Sequence, residues 1–270
     1  MCLTLKQGSN LTPPLKWAGG KRWLLPHLEP LWVRAASPRL VEPFCGGLAV
    51  ALGLRAERAL LNDVNTHLIN FYHWLQRGLV VCLPLVNDKE VYYAYRARFN
   101  QLIKDPHTAA SQQAAELFYY LNRTGYNGLC RFNKKGEFNV PFGRYKRINY
   151  VRDFRDYRLP LQNWQFTAGD FGDLAVRPDD FIYADPPYDV EFTEYAKDGF
   201  SWEDQVRLAR WLAQHPGPVV ASNQATARIV QLYKDLGFEL ILLQGPRRIS
   251  CTGDRTPAPE VLALRNIDRS

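Results

Sequence analysis

The pair of prolines at positions 186 and 187 places the strongest constraint on how this chain folds. Consecutive prolines neither continue a helix nor donate hydrogen bonds to a sheet. Here they follow an apolar run at residues 181–184, Phe-Ile-Tyr-Ala. The run predicts a buried strand that ends in a stiff, extended loop, Asp-Pro-Pro-Tyr at residues 185–188. Open α/β sheets bind ligands outside the carboxyl ends of their strands, so this loop is a candidate binding edge, although the same residues are typical of a surface turn.

The chemistry of the loop suits a flat group that carries an amine. The Asp185 carboxylate and the Pro186 carbonyl both accept hydrogen bonds, and Tyr188 offers an aromatic face. The exocyclic amino group of an adenine could donate to both acceptors while its ring stacks on Tyr188. Asp185, Pro186, Pro187 and Tyr188 are therefore the candidate catalytic residues.

Two strand–turn–helix patterns upstream predict a nucleotide-binding α/β sheet. A short strand at 39–42 runs into a glycine turn and an apolar helix at 48–54, and a second strand at 59–61 ends at Asp63. Such a turn, with an acid about twenty residues after the first strand, is the pattern that holds a nucleotide and its ribose. The alternation resumes after residue 150. We expect a Rossmann-like sheet that is mostly parallel, with one antiparallel strand near the C-terminus.

Two further segments support this α/β alternation. A strand at 165–167 leads to Asp170, which adds a third acid to the expected binding edge. Residues 201–204, Ser-Trp-Glu-Asp, predict a capping box at the start of a helix. The apolar spacing predicts that the buried face of that helix carries Trp202, Val206, Ala209 and Ala213.

Residues 67–150 interrupt the α/β pattern and predict an inserted region of helices and a hairpin. Within it, residues 122–147 carry seven basic side chains against one acid, Glu137, interleaved with aromatic residues. Interleaved aromatic and basic residues favour nucleic-acid contact over a solvated loop. The net charge of +7 agrees with a polyanionic partner.

Composition excludes several other classes. The five cysteines form no C-x-x-C pair and stand near no histidine at metal spacing, so neither a disulfide framework nor a zinc site is predicted. No apolar run is long enough to span a bilayer, and no signal segment is recognisable. We expect a cytoplasmic protein with no membrane partner and no catalytic metal.

Five motifs together resemble the DNA adenine-N6 methyltransferases of the Dam type, along nearly the full chain. They are residues 15–21 (Leu-Lys-Trp-Ala-Gly-Gly-Lys), 42–46 (Glu-Pro-Phe-Cys-Gly), 122–133, 138–145 and 185–188. The resemblance implies methyl transfer from S-adenosylmethionine to adenine N6 in duplex DNA, within GATC and by base flipping, with S-adenosylhomocysteine as product. It also implies a monomer with a catalytic domain at 1–66 and 151–270 and a target-recognition domain at 67–150.

The resemblance further implies which residues bind each partner. The implied cofactor contacts are Trp17, Ala18, Gly19, Lys21, Glu42, Pro43, Phe44, Gly46, Asp63, Asp170 and Asp185. The implied DNA contacts are Arg96, Arg123, Asn127, Leu129, Arg131, Asn133, Asn139, Arg144, Tyr145, Arg247, Arg248 and Ser250.

Specific roles are implied for some of the DNA contacts. Arg131 would read a guanine, Asn127 and Leu129 would touch neighbouring bases, and Tyr145 would fill the gap in the base stack. The residues expected to contact phosphate or backbone are Arg96, Arg123, Asn133 and Asn139.

One departure from the family pattern falls in the glycine turn. Many members have a second glycine two positions after Gly46, where this chain has Leu48. The cofactor contacts at that turn are therefore the least determined part of the site.

Two alternatives remain open at this point. The same chemistry could act on an RNA adenine, since RNA-binding loops also use arginine and aromatic residues. A protein glutamine is a poorer substrate because that class usually has asparagine in place of Asp185. The other alternative is a sequence-specific DNA-binding protein that has lost catalysis, which an intact Asp185 argues against.

Overall fold

The computed structural model describes residues 11–188, 200–246 and 258–267. The predicted DNA contacts Arg247, Arg248 and Ser250 lie outside these ranges. The seven strands found there are β1 (Leu40–Glu42), β2 (Ala59–Asp63), β3 (Trp164–Ala168), β4 (Phe181–Ala184), β5 (Val219–Gln224), β6 (Glu239–Gly245) and β7 (Ala258–Arg265). The helices found there are α1 (Leu25–Ala35), α2 (Ala49–Leu54), α3 (Thr66–Gln76), α4 (Lys89–Leu102), α5 (Pro106–Ala109), α6 (Gln112–Thr124), α7 (Trp202–Gln214) and α8 (Ala227–Asp235).

The strands form one sheet in the order β3-β2-β1-β4-β5-β7-β6. β7 runs antiparallel to both of its neighbours, and the other strands are parallel to one another. This confirms the predicted fold class, including the single antiparallel strand near the C-terminus.

The central strands are buried on both faces, which explains their nearly continuous apolar sequences. Side chains alternate across β4: Phe181 and Tyr183 join one hydrophobic cluster, and Ile182 and Ala184 join the other. One cluster contains residues of α1, α2, α3 and α6, and the other contains residues of α7 and α8. The sheet is therefore covered by helices on both faces.

The order of the strands fixes where a ligand can bind. The chain passes from β1 outwards to β2 and β3, then returns to the other side of β1 to form β4 and β5. Such a reversal opens a crevice at the carboxyl ends of the adjacent strands. The glycine turn after β1 and the Asp-Pro-Pro-Tyr loop after β4 both lie at this crevice.

The inserted region packs onto the sheet through aromatic side chains. Tyr72 on α3 contacts Phe166 on β3 with ring centroids 5.3 Å apart, and within the insertion Phe71 on α3 stacks on Tyr119 on α6 at 5.9 Å. Isolated bridges join Gly125 to Phe142 and Phe132 to Phe138, which gives residues 125–142 the form of a hairpin. No described helix could cross a membrane.

Helix α7 begins at the predicted capping box between Ser201 and Asp204. The predicted buried face is partly wrong. The buried positions are Gln205, Leu208, Ala209 and Leu212. The difference arises at Gln205, which points inwards because its amide donates to the Pro187 carbonyl at 2.8 Å and accepts from Asn223 at 3.0 Å.

Candidate active site

A cavity of about 420 Å³ opens at the carboxyl ends of β1, β2 and β4. It brings together all four predicted catalytic residues and most of the predicted cofactor contacts. Its predicted lining residues are Trp17, Ala18, Gly19, Lys21, Glu42, Phe44, Gly46, Asp63, Asp185, Pro186, Pro187 and Tyr188. Two predicted cofactor contacts, Pro43 and Asp170, are not part of this wall.

The Asp185 carboxylate is held at both oxygens. Lys21 places its ammonium 3.0 Å from Oδ2, and the Ser222 hydroxyl donates to Oδ1 at 2.8 Å. Burial raises the pKa of Asp185, while the charge of Lys21 and the hydrogen bonds from Lys21 and Ser222 lower it. The loop thus presents an oriented, ion-paired carboxylate in a site of low polarity.

Lys21 is buried against three different partners. Besides Asp185, its ammonium donates to the Gly19 carbonyl at 2.9 Å and lies 4.6 Å from the centre of the Tyr188 ring. Only 4% of Lys21 is exposed. A buried ammonium held by a carboxylate, a carbonyl and an aromatic face is a fixed part of the wall, not a mobile surface charge.

The glycine turn after β1 forms despite the Leu48 substitution. Leu48 takes a left-handed backbone with φ of 62° and is fully buried. Gly46 also has a positive φ, 43°, and a Cβ there would lie 2.8 Å from Trp17 Nε1. Tyr72 donates its hydroxyl to the Gly46 carbonyl. Close approach of Trp17 therefore requires glycine at position 46, and Leu48 supplies the left-handed residue that ends the turn.

Asp63, at the end of β2, ties this turn to the helix that follows. Oδ2 accepts from the Gly46 amide at 3.2 Å, and Oδ1 accepts from the Asn65 amide at 2.9 Å. Burial raises its pKa, and these two hydrogen bonds lower it. The neighbouring Val64 is 72% exposed and also lines the cavity. A carboxylate beside an apolar surface matches a ribose next to a flat base.

Glu42 contributes a buried acceptor to the same cavity. It is 2% exposed, and its Oε1 has no hydrogen-bond partner within the described part of the chain. Burial raises its pKa well above the ordinary value. An unpaired acceptor costs free energy when buried, so this oxygen is suited to receive a donor from a ligand.

Pro43 and Asp170 lie on either side of Asn62. The Asn62 amide donates to the Pro43 carbonyl at 3.0 Å and to the Gly169 carbonyl at 2.9 Å. Asp170 makes a two-point ion pair with Arg207, at 2.6 and 2.7 Å, and Arg207 lowers its pKa. Asp170 lines a separate cavity that runs along β3 and shares no lining residue with the first.

A second cavity, of about 590 Å³, adjoins the first at Lys21 and Tyr188. The two cavities also share Trp17, Gly19, Gly20, Gly47 and Ala49. The wall on the far side includes Gln224 on β5 and Glu260 on β7. A planar group that enters there reaches Tyr188 between the glycine turn and strands β5 and β7.

The hairpin at residues 125–142 is joined to the cavity by Asn122. Its side chain accepts from the Lys16 amide at 2.9 Å and donates to the Lys16 carbonyl at 2.8 Å. It also donates to the Gly128 carbonyl at 3.2 Å. Because Trp17 directly follows Lys16, one buried asparagine connects the hairpin to the cavity wall.

Lys16 points into the hairpin rather than into the cavity. Its ammonium lies 3.7 Å from the centre of the Tyr145 ring and donates to the Arg123 carbonyl at 3.1 Å. Burial, with a smaller contribution from the charge of Arg123, lowers the pKa of Lys16 to about 8.

Tyr145, predicted to fill the gap in the base stack, is held inside the hairpin. Its hydroxyl donates to the Gly125 carbonyl at 3.1 Å, and Lys16 covers its ring. Tyr126 is instead 50% exposed beside the exposed Asn127. Of these two tyrosines, Tyr126 is therefore the one whose ring is exposed to solvent.

The predicted guanine reader, Arg131, is exposed and oriented by another predicted contact. Its Nε donates to the side-chain oxygen of Asn139 at 2.7 Å, across the hairpin. The Asn139 amide also donates to the Arg131 carbonyl at 3.1 Å. Nη2 of Arg131 also donates to the Asn139 carbonyl at 3.5 Å, so two nitrogens of the exposed guanidinium are oriented by Asn139.

The other predicted phosphate contacts also bond within the insertion. Arg96 donates to the Val140 carbonyl at 3.0 Å, and Arg123 donates to the Asn149 carbonyl at 2.8 Å. Asn133 closes the hairpin turn by accepting from the Glu137 amide at 3.0 Å. Leu129 is half-buried, and Arg144 is exposed with a left-handed φ of 50°.

Several residues of the site were missed by sequence reasoning. Ser222 and Asn122 are polar residues in apolar segments, a signal that marks a buried hydrogen bond without naming its partner. No group of three or more His, Cys, Asp or Glu side chains that could hold a metal occurs in the described ranges.

The sheet topology and the edge cavity define an α/β protein of the Rossmann-like methyltransferase class. Comparison with known families makes this specific. A model of the D12 class N6 adenine-specific DNA methyltransferases matches residues 17–249, and the chain belongs to that family. The resemblance drawn from the motifs is thereby confirmed, together with the predicted enzyme class.

Individual relatives agree with this assignment. A DNA adenine methylase of Escherichia coli (strain K12) is 36% identical over 270 residues, covering 93% of this chain and 94% of that protein. A DNA adenine methylase of Vibrio cholerae serotype O1 is 38% identical over 271 residues, with the same coverages. Among solved structures, precorrin-6y C5,15-methyltransferase of Geobacter metallireducens covers 92% of this chain and 88% of that chain at 9% identity. Its TM-score is 0.38, a likeness on which no argument rests.

Proposed function

We propose that this protein transfers a methyl group from S-adenosylmethionine to N6 of an adenine in duplex DNA, within the sequence GATC. The observation that carries the proposal is the buried, ion-paired Asp185 in one cavity with the glycine turn and Asp63. The relatives named DNA adenine methylases support the choice of substrate.

The cofactor fits the first cavity by the chemistry of its wall. Asp63 would accept from the ribose hydroxyls beside exposed Val64, and the unpaired Glu42 Oε1 would accept from the amino group of the methionine part. Trp17 packs against the glycine turn, which lets the ligand approach the backbone closely. When bound, S-adenosylmethionine supplies an electrophilic methyl group on a sulfonium.

Asp170 would bind the adenine ring of the cofactor at the next strand along the edge. Its carboxylate has acceptor sites beyond those used by Arg207 and the Gly172 amide. The aromatic contact between Phe44 in the first cavity and Phe171, 5.7 Å between ring centres, connects the two positions.

The reacting adenine would be held by the Asp-Pro-Pro-Tyr loop. Asp185 Oδ2 and the Pro186 carbonyl would accept the two amino hydrogens, and Tyr188 would stack on the ring. Gln205 fixes the loop by donating to the Pro187 carbonyl. The base would reach Tyr188 through the second cavity, whose wall includes Gln224 on β5 and Glu260 on β7.

This arrangement works by positioning rather than by acid–base strength. Displacement at a methyl carbon requires the nitrogen lone pair to lie in line with the breaking bond. Two acceptors on the amino hydrogens orient that lone pair, and they also polarise the N–H bonds so that nitrogen carries more electron density. Asp185 stands ready to accept the proton that the methylated nitrogen must lose.

The hairpin would select the site. The exposed guanidinium of Arg131 would read a guanine in the major groove, and Asn127 and Leu129 would contact adjacent bases. Tyr126, which is exposed, would enter the stack when the adenine leaves it. The protein would act as a monomer, since the proposed contacts all come from one chain.

The direct test measures methyl transfer by the purified protein to a GATC duplex, the same single-stranded DNA and the matching RNA. Transfer to the duplex, at adenine N6 within GATC, is expected. A matched duplex with the two central bases exchanged, GTAC, should receive little methyl. Transfer confined to RNA would replace the proposal with RNA adenine methylation, and the absence of cofactor binding by calorimetry would replace it with a DNA-binding role.

A further inference from the structure

Two buried hydroxyls lead from the core of the sheet to the Asp185 carboxylate. The Tyr183 hydroxyl on β4 lies 2.9 Å from Oγ of Ser222 on the neighbouring strand β5. Ser222 Oγ in turn lies 2.8 Å from Asp185 Oδ1. Tyr183 is 2% exposed and Ser222 is fully buried. Hydroxyls at such depth in an apolar sheet carry a cost unless each one is paired.

The direction of the two hydrogen bonds follows from the number of donors. A carboxylate that is ion-paired with Lys21 only accepts, so Ser222 spends its single hydrogen on Asp185. The contact between Tyr183 and Ser222 can then run only from the tyrosine hydroxyl to the serine oxygen. Because each hydroxyl polarises the next, Ser222 is a stronger donor to Asp185 than it would be alone.

We propose that Ser222 and Tyr183 are positioning residues for methyl transfer, which lock Asp185 in its ionised form with Oδ2 turned towards the target amino group. The inference rests on the proposed function, in which Asp185 holds that amino group. Ser222 lies outside the cavity wall, whereas the Tyr183 side chain also lines the cavity, and both act through Asp185.

The lock works because one carboxylate oxygen is assigned to the protein and the other to the ligand. Ser222 occupies Oδ1, which sets the rotation of the carboxylate plane. Oδ2 lies beside Lys21 at the cavity wall and is the oxygen left for an adenine amino hydrogen. Without the bond to Ser222, the carboxylate could rotate about its Cβ–Cγ bond and lose the in-line geometry.

The surroundings give this neutral donor an electrostatic role as well. Among the described groups that interact with Asp185, Lys21 supplies the positive charge, and the Glu42 carboxyl on β1 is an acid whose pKa burial and the Asp185 charge both raise. Burial and the Asp185 charge also raise the pKa values of Tyr183 on β4, Tyr188 in the loop and Tyr233 on α8, so these phenols are neutral where Asp185 titrates, and Glu260 on β7 faces Tyr183 and Tyr188. Burial raises the pKa of Asp185, and the Ser222 hydrogen bond lowers it.

The test compares Ser222→Ala and Tyr183→Phe with the unchanged protein, using the full chain and a GATC duplex. The rate of a single turnover is measured from acid to neutral pH, together with DNA and cofactor affinity. Ser222→Ala should move the acid limb of the rate profile upwards by roughly one pH unit, as expected for loss of a hydrogen bond to a charged group. Substrate affinities should change less than about twofold, since these residues act after binding.

Tyr183→Phe should move the acid limb in the same direction by a smaller amount. The double variant should behave like Ser222→Ala alone, because Tyr183 acts on Asp185 only through the Ser222 hydroxyl, a relay of two hydrogen bonds. Ser222→Thr keeps the hydroxyl and should restore the profile. Tyr150→Phe is the matched control, because it removes a phenol from a different hydroxyl pair, that with Thr124 at 2.8 Å. Its rate profile should stay in place.

An acid limb that stays in place in both Ser222→Ala and Tyr183→Phe would overturn the inference. If Ser222→Ala does not fold, Tyr183→Phe decides, since it removes one oxygen and leaves the ring in the core. Asp185→Ala separates this outcome from failure of the proposed function. If that variant still transfers methyl, the proposed role of Asp185 is wrong; if it is inactive while the hydroxyl variants are normal, only the relay fails.

Discussion

Lys21 and Asp185 form an ion pair of 3.0 Å that joins the N-terminal turn to the end of β4, with 4% and 18% of their side chains exposed. The pair closes the cavity between the glycine turn and the Asp-Pro-Pro-Tyr loop. A buried ion pair is weak evidence for stability, because the cost of desolvating both charges offsets their attraction. Its retention here is better explained by function: it keeps a carboxylate charged where burial would neutralise it.

Replacing Asp185 with alanine should abolish methyl transfer while leaving specific DNA binding intact. The change removes the acceptor for the adenine amino group but does not touch the hairpin. Turnover is measured with a GATC duplex, and binding by titration of the same duplex. Asp185→Asn is the matched variant, because it keeps the shape and removes the charge. Turnover near that of the unchanged protein in either variant would refute the proposed holding of the amino group.

Replacing Arg131 with alanine should relax discrimination at one guanine by about 1–3 kcal/mol. The loss should appear as similar rates on GATC and on a duplex altered at that guanine. An unchanged preference would remove Arg131 from the recognition role.

Asn139→Ala distinguishes two roles for this asparagine. If Asn139 orients Arg131, as its 2.7 Å bond to Nε indicates, the variant should also relax discrimination at the same guanine. If it contacts phosphate, binding should weaken equally for all sequences, with the salt dependence unchanged because asparagine carries no charge. Comparing Asn139→Ala on both duplexes at two salt concentrations separates these outcomes.

At position 48 a glycine substitution should destabilise the protein less than an alanine substitution, which is the reverse of the usual order. Both changes remove a fully buried leucine side chain, at a cost of about 2–5 kcal/mol. Alanine keeps the penalty of the left-handed backbone at φ of 62°, whereas glycine relieves about 1 kcal/mol of it. Urea unfolding should therefore find Leu48→Gly more stable than Leu48→Ala. The opposite order would show that the turn is not strained at this position.

Lys16 should make the free energy of unfolding depend on pH in the alkaline range. Its pKa is about 8 in the folded protein, whereas the ordinary lysine value of 10.5 applies to the unfolded chain. Between these two pH values the unfolded chain therefore binds more protons. The contribution of Lys16 to stability therefore increases as the pH rises through this window. The difference in unfolding free energy between the unchanged protein and Lys16→Met should rise from pH 8 to 10 and be flat at lower pH. A difference that does not change with pH would contradict the lowered pKa.

The fold was predictable because its signals are local and mutually consistent. The apolar run before Asp185, the glycines after β1 and the acid at position 63 each indicate a strand end, and together they indicate one edge. Backbone geometry at Leu48 was not predictable from the residue itself, because leucine rarely adopts a left-handed conformation. The turn forms there because Trp17 packs against Gly46 and Tyr72 donates a hydrogen bond to the Gly46 carbonyl.

The parts that escaped prediction depend on side-chain hydrogen bonds between distant segments. Gln205 lies on the buried face of α7, which was not predicted, because its hydrogen-bond partners, Pro187 and Asn223, come from two other segments. The contact between Lys16 and the Tyr145 ring is another example, because the two residues are far apart in the sequence. Such pairings follow from strand order and packing, which single-sequence periodicity does not encode.

The double hydrogen bond between Asn122 and the backbone of Lys16 has a consequence for hybrid enzymes. An exchange of residues 67–150 between relatives would transfer Asn122. It would not transfer the backbone of Lys16, to which Asn122 is hydrogen-bonded. The transferred segment would then have to form these hydrogen bonds with the other protein's backbone, one residue away from the position of Trp17. The unit that can be inherited or exchanged as a whole therefore includes the segment around Lys16, which is remote from the hairpin in sequence and inseparable from it in space.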